Sequence, residues 1–174
     1  MNTTDAYQVA FTGLAPGTHT FDFRVGDTFF MELQDSEITG GNVAIEVVME
    51  KQERMMDLHF TIAGTVTTAC DRCNEPVNIR VNGSERLIVK LGDGYVEESE
   101  NVQIIPESAH RLDLGPFLYQ FIHLLLPLRK VHPENGKGSS RCNPEILKKL
   151  DELSPGHNPD PRWEVLRKLK EGEE

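Results

Sequence analysis

Two of the three cysteines in this chain, Cys70 and Cys73, are separated by only two residues, and this pair constrains the fold more than any other feature. A histidine, His132, lies ten positions before the third cysteine, Cys142. Three thiolates and one imidazole make up a four-ligand set of the kind that binds zinc tetrahedrally. An ion shared by all four would tie the end of the N-terminal half to a C-terminal loop.

Two other interpretations of the cysteines stay open. They can be free thiols that pack as small apolar residues without a metal. They can also form a redox pair, but thioredoxin-like sites place Cys-x-x-Cys at a helix N-terminus, whereas the sequence around this pair predicts strands. The negative charge of Asp71, between the two cysteines, also disfavours a thiolate. If zinc is bound, its role is structural, because four protein ligands leave no open position for water.

Apolar and polar residues alternate through much of residues 1–91, which predicts a β-rich part. The cysteine pair falls between two of the alternating runs, so it is expected at the end of a hairpin. The runs are Phe21, Phe23 and Val25; Val43, Ile45 and Val47; Leu58, Phe60, Ile62 and Val66; and Val77, Ile79 and Val81.

Residues 111–174 have helical signals instead. Asp113 is predicted to cap a helix that has an apolar stripe extending to Leu128 and ends at Pro127. Asn143 and Asp160, each followed by proline, mark the starts of two short helices. Between the two halves, residues 92–110 carry five acidic and no basic side chains and show no apolar period, so an exposed acidic loop is expected.

These patterns predict one α+β domain over residues 1–174, with an antiparallel, partly closed sheet followed by a buried helix and short C-terminal helices. The chain start shows no secretory signal. The most apolar run, residues 117–128, is too short for a bilayer span of about 20 residues. With an odd number of cysteines, this favours reduced thiols and a cytoplasmic protein without a membrane partner.

The charge distribution is more informative than the net charge of −10, which is unusual for a nucleic-acid binder. Residues 127–149 reverse the sign, with six basic and two acidic side chains, and this segment contains His132 and Cys142. An ordinary solvated surface is one explanation, and local contact with RNA is the other. The acidic remainder suits a basic protein partner. The candidate RNA-binding residues are Arg129, Lys130, Lys137 and Arg141.

Common catalytic signatures are absent from the sequence. The segment 136–139, Gly-Lys-Gly-Ser, resembles part of a phosphate-binding loop but lacks the upstream glycine and the preceding strand. Nucleophile-elbow, metalloprotease and dinucleotide-binding motifs are also missing. We therefore expect a protein that is not an enzyme and has no small-molecule substrate.

Five short motifs follow one another along the chain: a Cys-x-Arg-Cys motif with a following proline, an Asp-Leu pair that opens an apolar helix, its Leu-Pro end, the His/Cys loop and a C-terminal Asp-Pro-Arg-x-x-x-Leu. Their residues are Cys70, Arg72, Cys73 and Pro76; Asp113 and Leu114; Leu126 and Pro127; His132 and Cys142; and Asp160, Pro161, Arg162 and Leu166. Together they cover roughly residues 10–170. The order of these motifs resembles the YceD family, which is named for large ribosomal RNA subunit accumulation.

This resemblance implies a role in the synthesis, processing or stability of 23S rRNA during large-subunit biogenesis, without enzymatic activity. Family genes commonly lie beside a gene for a small basic ribosomal protein of the large subunit, which implies such a protein as a second partner. Many members carry further cysteines in the loop where this chain has only His132 and Cys142. A zinc-stabilised protein adaptor without RNA contact is the main alternative, and a thiol oxidoreductase is the third.

Overall fold

Long antiparallel strands dominate the computed structural model, which describes residues 6–33, 36–135 and 139–154. The α+β class predicted from the sequence is confirmed. The strands are β1 Gln8–Ala10, β2 Gly17–Val25, β3 Ile38–Lys51, β4 Met55–Ala69, β5 Pro76–Gly92, β6 Val96–Ser99, β7 Val102–Pro106, β8 Arg111–Asp113, β9 Glu134–Asn135 and β10 Ser139–Ser140. The helices are α1 Asp27–Glu32, α2 Gly115–Leu124 and α3 Pro144–Leu153.

The main sheet has six strands in the order β2-β3-β4-β5-β7-β6. All neighbours are antiparallel except β5 and β7, which run parallel. The sheet is open rather than partly closed as expected, because its edge strands β2 and β6 do not pair with each other in the described part of the chain. The N-terminal strand β1 pairs instead with β8, in a separate two-stranded ladder.

One face of the main sheet forms the core together with α2. In β3, Val43, Ile45 and Val47 are buried while the residues between them are exposed, which is the two-residue period of a half-buried strand. Helix α2 contributes Phe121, whose ring centroid lies 5.0 Å from that of Phe60 on β4. The helix therefore covers the middle of the sheet.

The predicted start of this helix is confirmed to within one residue. Asp113 Oδ1 accepts a hydrogen bond of 2.9 Å from the backbone N–H of Gly115, where α2 begins. The helix ends at Leu124, before Pro127. Leu128, which was expected on the apolar stripe, is fully exposed because the helical spacing stops before it.

Residues 92–110 are not the loop that the sequence predicted, since they contain β6 and β7. All four side chains of β6 are exposed, so this edge strand has no apolar alternation that the sequence could reveal. Its backbone pairs with β7, which in turn pairs with the last residues of β5. The exposure was predicted correctly for β6 but not for β7, where Ile105 is buried in the core, and the predicted absence of regular structure was wrong.

The C-terminal helices are described only in part. Helix α3 begins where predicted, and the side chain of Asn143 accepts a hydrogen bond from the backbone N–H of Glu145 at 3.0 Å. The second predicted helix, at Asp160, lies outside the described residues. No helix in the described ranges is long and apolar enough to cross a membrane.

An ion pair between adjacent strands gives a pH-dependent prediction. The guanidinium of Arg86 on β5 donates to both carboxylate oxygens of Asp57 on β4, at 2.9 and 2.6 Å. The Asp57 side chain is only 13% exposed, and hydrogen bonds from Arg86 lower the pKa of its carboxyl group. A carboxyl group with a lowered pKa stabilises the folded state above its unfolded pKa of about 4, and this stabilisation disappears as the pH falls through the folded pKa.

We therefore expect Asp57→Asn to lower the free energy of unfolding by about 1–3 kcal/mol at pH 7. The difference from the wild type should shrink toward pH 3, because below about pH 4 the unfolded chain binds a proton that the folded carboxyl group, with its lowered pKa, resists. Urea unfolding at the two pH values measures this. If Asp57→Asn lowers the free energy of unfolding equally at both pH values, the charge of Asp57 does not contribute to stability.

Candidate metal centre

The turn between β4 and β5 brings Cys70 and Cys73 together, as the alternation predicted. The backbone N–H of Cys70 donates to the carbonyl of Glu75 at 2.9 Å, and that of Asn74 donates to the carbonyl of Cys70 at 2.8 Å. Asn74 has a φ of +59°, a left-handed conformation that asparagine adopts more readily than most residues. These bonds close a tight turn, residues 70–75, which we call the knuckle.

Hydrogen bonds join the knuckle to the segment after α2 and to the start of α3. The backbone N–H of Lys130 donates to Asp71 Oδ2 at 2.5 Å, and the N–H of Asp71 donates to the carbonyl of Lys130 at 2.7 Å. The side-chain amide of Asn143 donates to Glu75 Oε1 at 2.7 Å. Because these contacts lie two residues before His132 and one residue after Cys142, they position both residues beside the knuckle.

The predicted ligand atoms of Cys70, Cys73, His132 and Cys142 all lie within 4.8 Å of one another. The Sγ atoms of Cys70 and Cys142 are 3.8 Å apart, and His132 Nδ1 lies 3.5 Å from Cys73 Sγ and 3.7 Å from Cys142 Sγ. Tetrahedral zinc with its usual bond lengths requires separations of about 3.8 Å between sulfurs and about 3.6 Å between nitrogen and sulfur. The four side chains are therefore arranged so that they could hold one metal ion.

The orientation of His132 also fits a ligand role. Its Nε2 lies 3.1 Å from the carbonyl oxygen of Pro76. With the proton on Nε2 donated to this carbonyl, Nδ1 keeps its lone pair among the cysteine sulfurs. Histidines that bind metals commonly have their other ring nitrogen fixed in this way, which sets both the tautomer and the direction of the ring.

The thiols are buried in a small apolar cluster of their own. Cys70, Cys73 and Cys142 are each no more than 5% exposed. Val77 is buried with them, and the partly buried residues packed against this cluster are Ile79, Val131, Ile146 and Leu147. Helix α3 therefore packs on the cysteines rather than on the main core. Buried thiols without a metal would pack here too, so burial alone does not separate these two interpretations.

The knuckle backbone favours a thiolate at Cys70. Burial acts to raise the pKa of this thiol, but hydrogen bonds from the backbone of Cys73, Arg72 and His132 together lower it to about 6. Burial raises the pKa of Cys73. The charge of Asp71 alone predicted a disfavoured thiolate, but these backbone hydrogen bonds, which depend on the shape of the turn, act in the opposite direction. The pair lies between two strands and not at a helix N-terminus, as a thioredoxin-like site would require.

The candidate RNA-binding residues do not form one uniform surface. Arg129 and Arg141 are exposed. Lys130 is an internal contact, because its side chain is only 19% exposed and its Nζ lies 2.8 Å from a carboxylate oxygen of Glu37. Lys137 lies outside the described residues. No local signal could have revealed the partner of Lys130, since Glu37 is 93 residues away in the chain.

A protein-family profile described as "Large ribosomal RNA subunit accumulation protein YceD" matches residues 58–170, more than half of the chain. The matched region begins in β4 and includes all four candidate metal ligands. Neither the curated proteins nor the solved structures contain a significant match.

Proposed function

This chain belongs to the YceD family, and on that basis we propose that it supports 23S rRNA synthesis, processing or stability while the large ribosomal subunit is built. The family match carries this proposal. We further propose that the protein acts in the cytoplasm as a non-enzymatic factor. The three cysteines, which are buried and form no disulfide bond, suit a reducing compartment.

We propose that Cys70, Cys73, His132 and Cys142 hold a structural zinc ion. Bound zinc would supply a cross-link with no open position for a reacting water molecule. The chain itself already aligns the ligands through the hydrogen bonds on either side of the knuckle. The consequence would be a fixed position for the segment that follows α2.

Arg129 and Arg141 are the proposed RNA contacts, with Lys137 as a further candidate. Both arginines are exposed, and they lie within three residues of His132 and Cys142 respectively. The metal centre would therefore hold them beside each other. Contacts between arginine and phosphate weaken as the salt concentration rises, since binding releases counterions from the RNA.

The double variant Arg129→Gln/Arg141→Gln tests this assignment. We expect weaker co-sedimentation with large-subunit precursors in sucrose gradients. The slope of log affinity against log salt should fall by about 1–2, because each lost phosphate contact removes a little less than one counterion. The matched control is Arg24→Gln/Arg80→Gln, which removes two exposed arginines on the main sheet. If the two double variants show the same co-sedimentation and the same salt dependence, Arg129 and Arg141 are not part of the RNA interface.

The acidity of the rest of the chain favours a second candidate, a zinc-stabilised adaptor that contacts protein and not RNA. RNase treatment of the lysate before the sucrose gradient distinguishes the RNA-binding factor from the protein adaptor. Loss of co-sedimentation after RNase supports RNA contact. Confinement of the untreated protein to the top fractions at low salt would favour the adaptor.

A further inference from the structure

An apolar groove of about 640 Å³ lies between the end of α1, the start of α2 and the β6–β7 edge of the main sheet. A second hollow of about 440 Å³ adjoins it and shares Gln103, Asp113, Pro116 and Phe117 with it. The two form one elongated surface. The aromatic residues that line the first hollow are Tyr7, Phe29, Phe117 and Tyr119.

Large apolar side chains are exposed where this surface ends. Tyr95, which lines the second hollow, is 74% exposed, and the adjacent Val96 is 54% exposed. Val96 begins β6, the last strand of the main sheet. An exposed apolar patch beside an edge strand is a common arrangement for binding an extended peptide, because the strand supplies backbone hydrogen bonds and the patch takes side chains.

The rim of the groove is acidic. Glu32, Glu97 and Asp113 line the first hollow, while the second contributes one cation, Arg111. Glu100 lines a small depression that joins the groove at Glu97. This charge repels the phosphates of a nucleic acid and complements a basic segment.

We infer that this groove binds an extended, lysine- or arginine-rich segment of a partner protein. The segment inserts an apolar side chain between the aromatic rings, and its cations face the acidic rim. The backbone of the bound segment pairs with β6 and so adds one strand to the main sheet. The inference concerns a surface separate from the metal centre, which lies at the opposite end of β5.

Selection from a phage-displayed library of random short peptides against the full-length protein tests this inference. Enriched peptides should combine lysine or arginine with an aromatic or long aliphatic residue. A synthetic copy of the most enriched peptide, labelled for fluorescence anisotropy, should bind at least about tenfold more weakly to Glu97→Lys/Glu100→Lys than to the wild type. Both glutamates are exposed, so the double variant should fold.

The matched control is Glu46→Lys/Glu50→Lys, which makes the same change in net charge at two exposed positions of β3. It should bind the peptide within about twofold of the wild type. Tyr95→Ala should weaken binding several-fold through lost apolar contact. The inference is overturned if no basic consensus is enriched or if both double variants weaken binding equally. Because rRNA is not measured, failure here leaves the proposed function standing.

Discussion

Replacing Cys142 with serine is expected to reduce the zinc content of the purified protein from about one equivalent to near zero. A serine hydroxyl is a poor substitute for a thiolate, and the other three ligands alone would bind zinc weakly. The free energy of unfolding should fall by at least about 3 kcal/mol, because the energy of metal binding contributes directly to folding. Elemental analysis and urea unfolding measure the two effects.

Leu153→Ala on α3 is the control. It leaves all four ligands and the hydrogen bonds of the knuckle in place, because the Leu153 side chain is 80% exposed and lies outside the cysteine cluster. It should change the stability by no more than about 0.5 kcal/mol and leave the zinc content unchanged. Less than about half an equivalent of zinc in the wild type, or full retention in Cys142→Ser, would contradict the proposed zinc site.

Phe121→Ala on α2 is expected to lower the free energy of unfolding by about 3–5 kcal/mol. Its side chain is 2% exposed and its ring contacts that of Phe60, so the substitution leaves a cavity between the helix and the sheet. The zinc content should not change, since the main core and the cysteine cluster are separate.

Leu124→Ala is the control on the same helix, where the side chain is 69% exposed. Its effect on stability should stay within about 0.5 kcal/mol. Urea unfolding of the two variants gives the comparison. If their stabilities lie within about 1 kcal/mol of each other, α2 does not anchor the core as the structure indicates.

Local periodicity and spacing predicted the features that depend on neighbouring residues. Alternation at Val43–Val47 identified β3, and the break in alternation around Cys70 located the hairpin end. The spacing of Asp113 and the following proline identified α2. The choice of His132 and Cys142 as companions of the cysteine pair relied on residue type and on their position in one nearby loop, and the structure brings both close enough to the pair to share one ion.

Features that depend on distant residues or on exposed backbone were not predictable from the sequence. Strand β6 has no buried side chain, so only its pairing with β7 reveals it. Strands β5 and β7 pair in parallel, and this pairing places β6 at the edge of the sheet. No residue pattern in β5 or β7 indicates that the two strands run in the same direction. The pairing of Lys130 with Glu37 also follows from the fold and not from any local pattern, and the contact of Lys130 with RNA stays a prediction.

The two proposed surfaces carry opposite charges: one is basic and the other is acidic. Arg129 and Arg141 lie within three residues of the candidate ligands His132 and Cys142, which meet the cysteine pair before the start of β5. The acidic groove borders β7, which pairs with the end of β5. Such an arrangement would allow the protein to contact RNA at one end and a basic protein segment at the other. Variants of the two ends should therefore fail in different assays, RNA association for one and peptide binding for the other.

The ratio of 23S to 16S rRNA in cells depleted of this protein tests the central claim most directly. We expect the ratio to fall on depletion, to recover with the wild-type protein and not to recover with Cys142→Ser. Measuring the level of each expressed protein excludes simple loss of the variant. An unchanged ratio after complete depletion would contradict the proposed role in 23S rRNA accumulation.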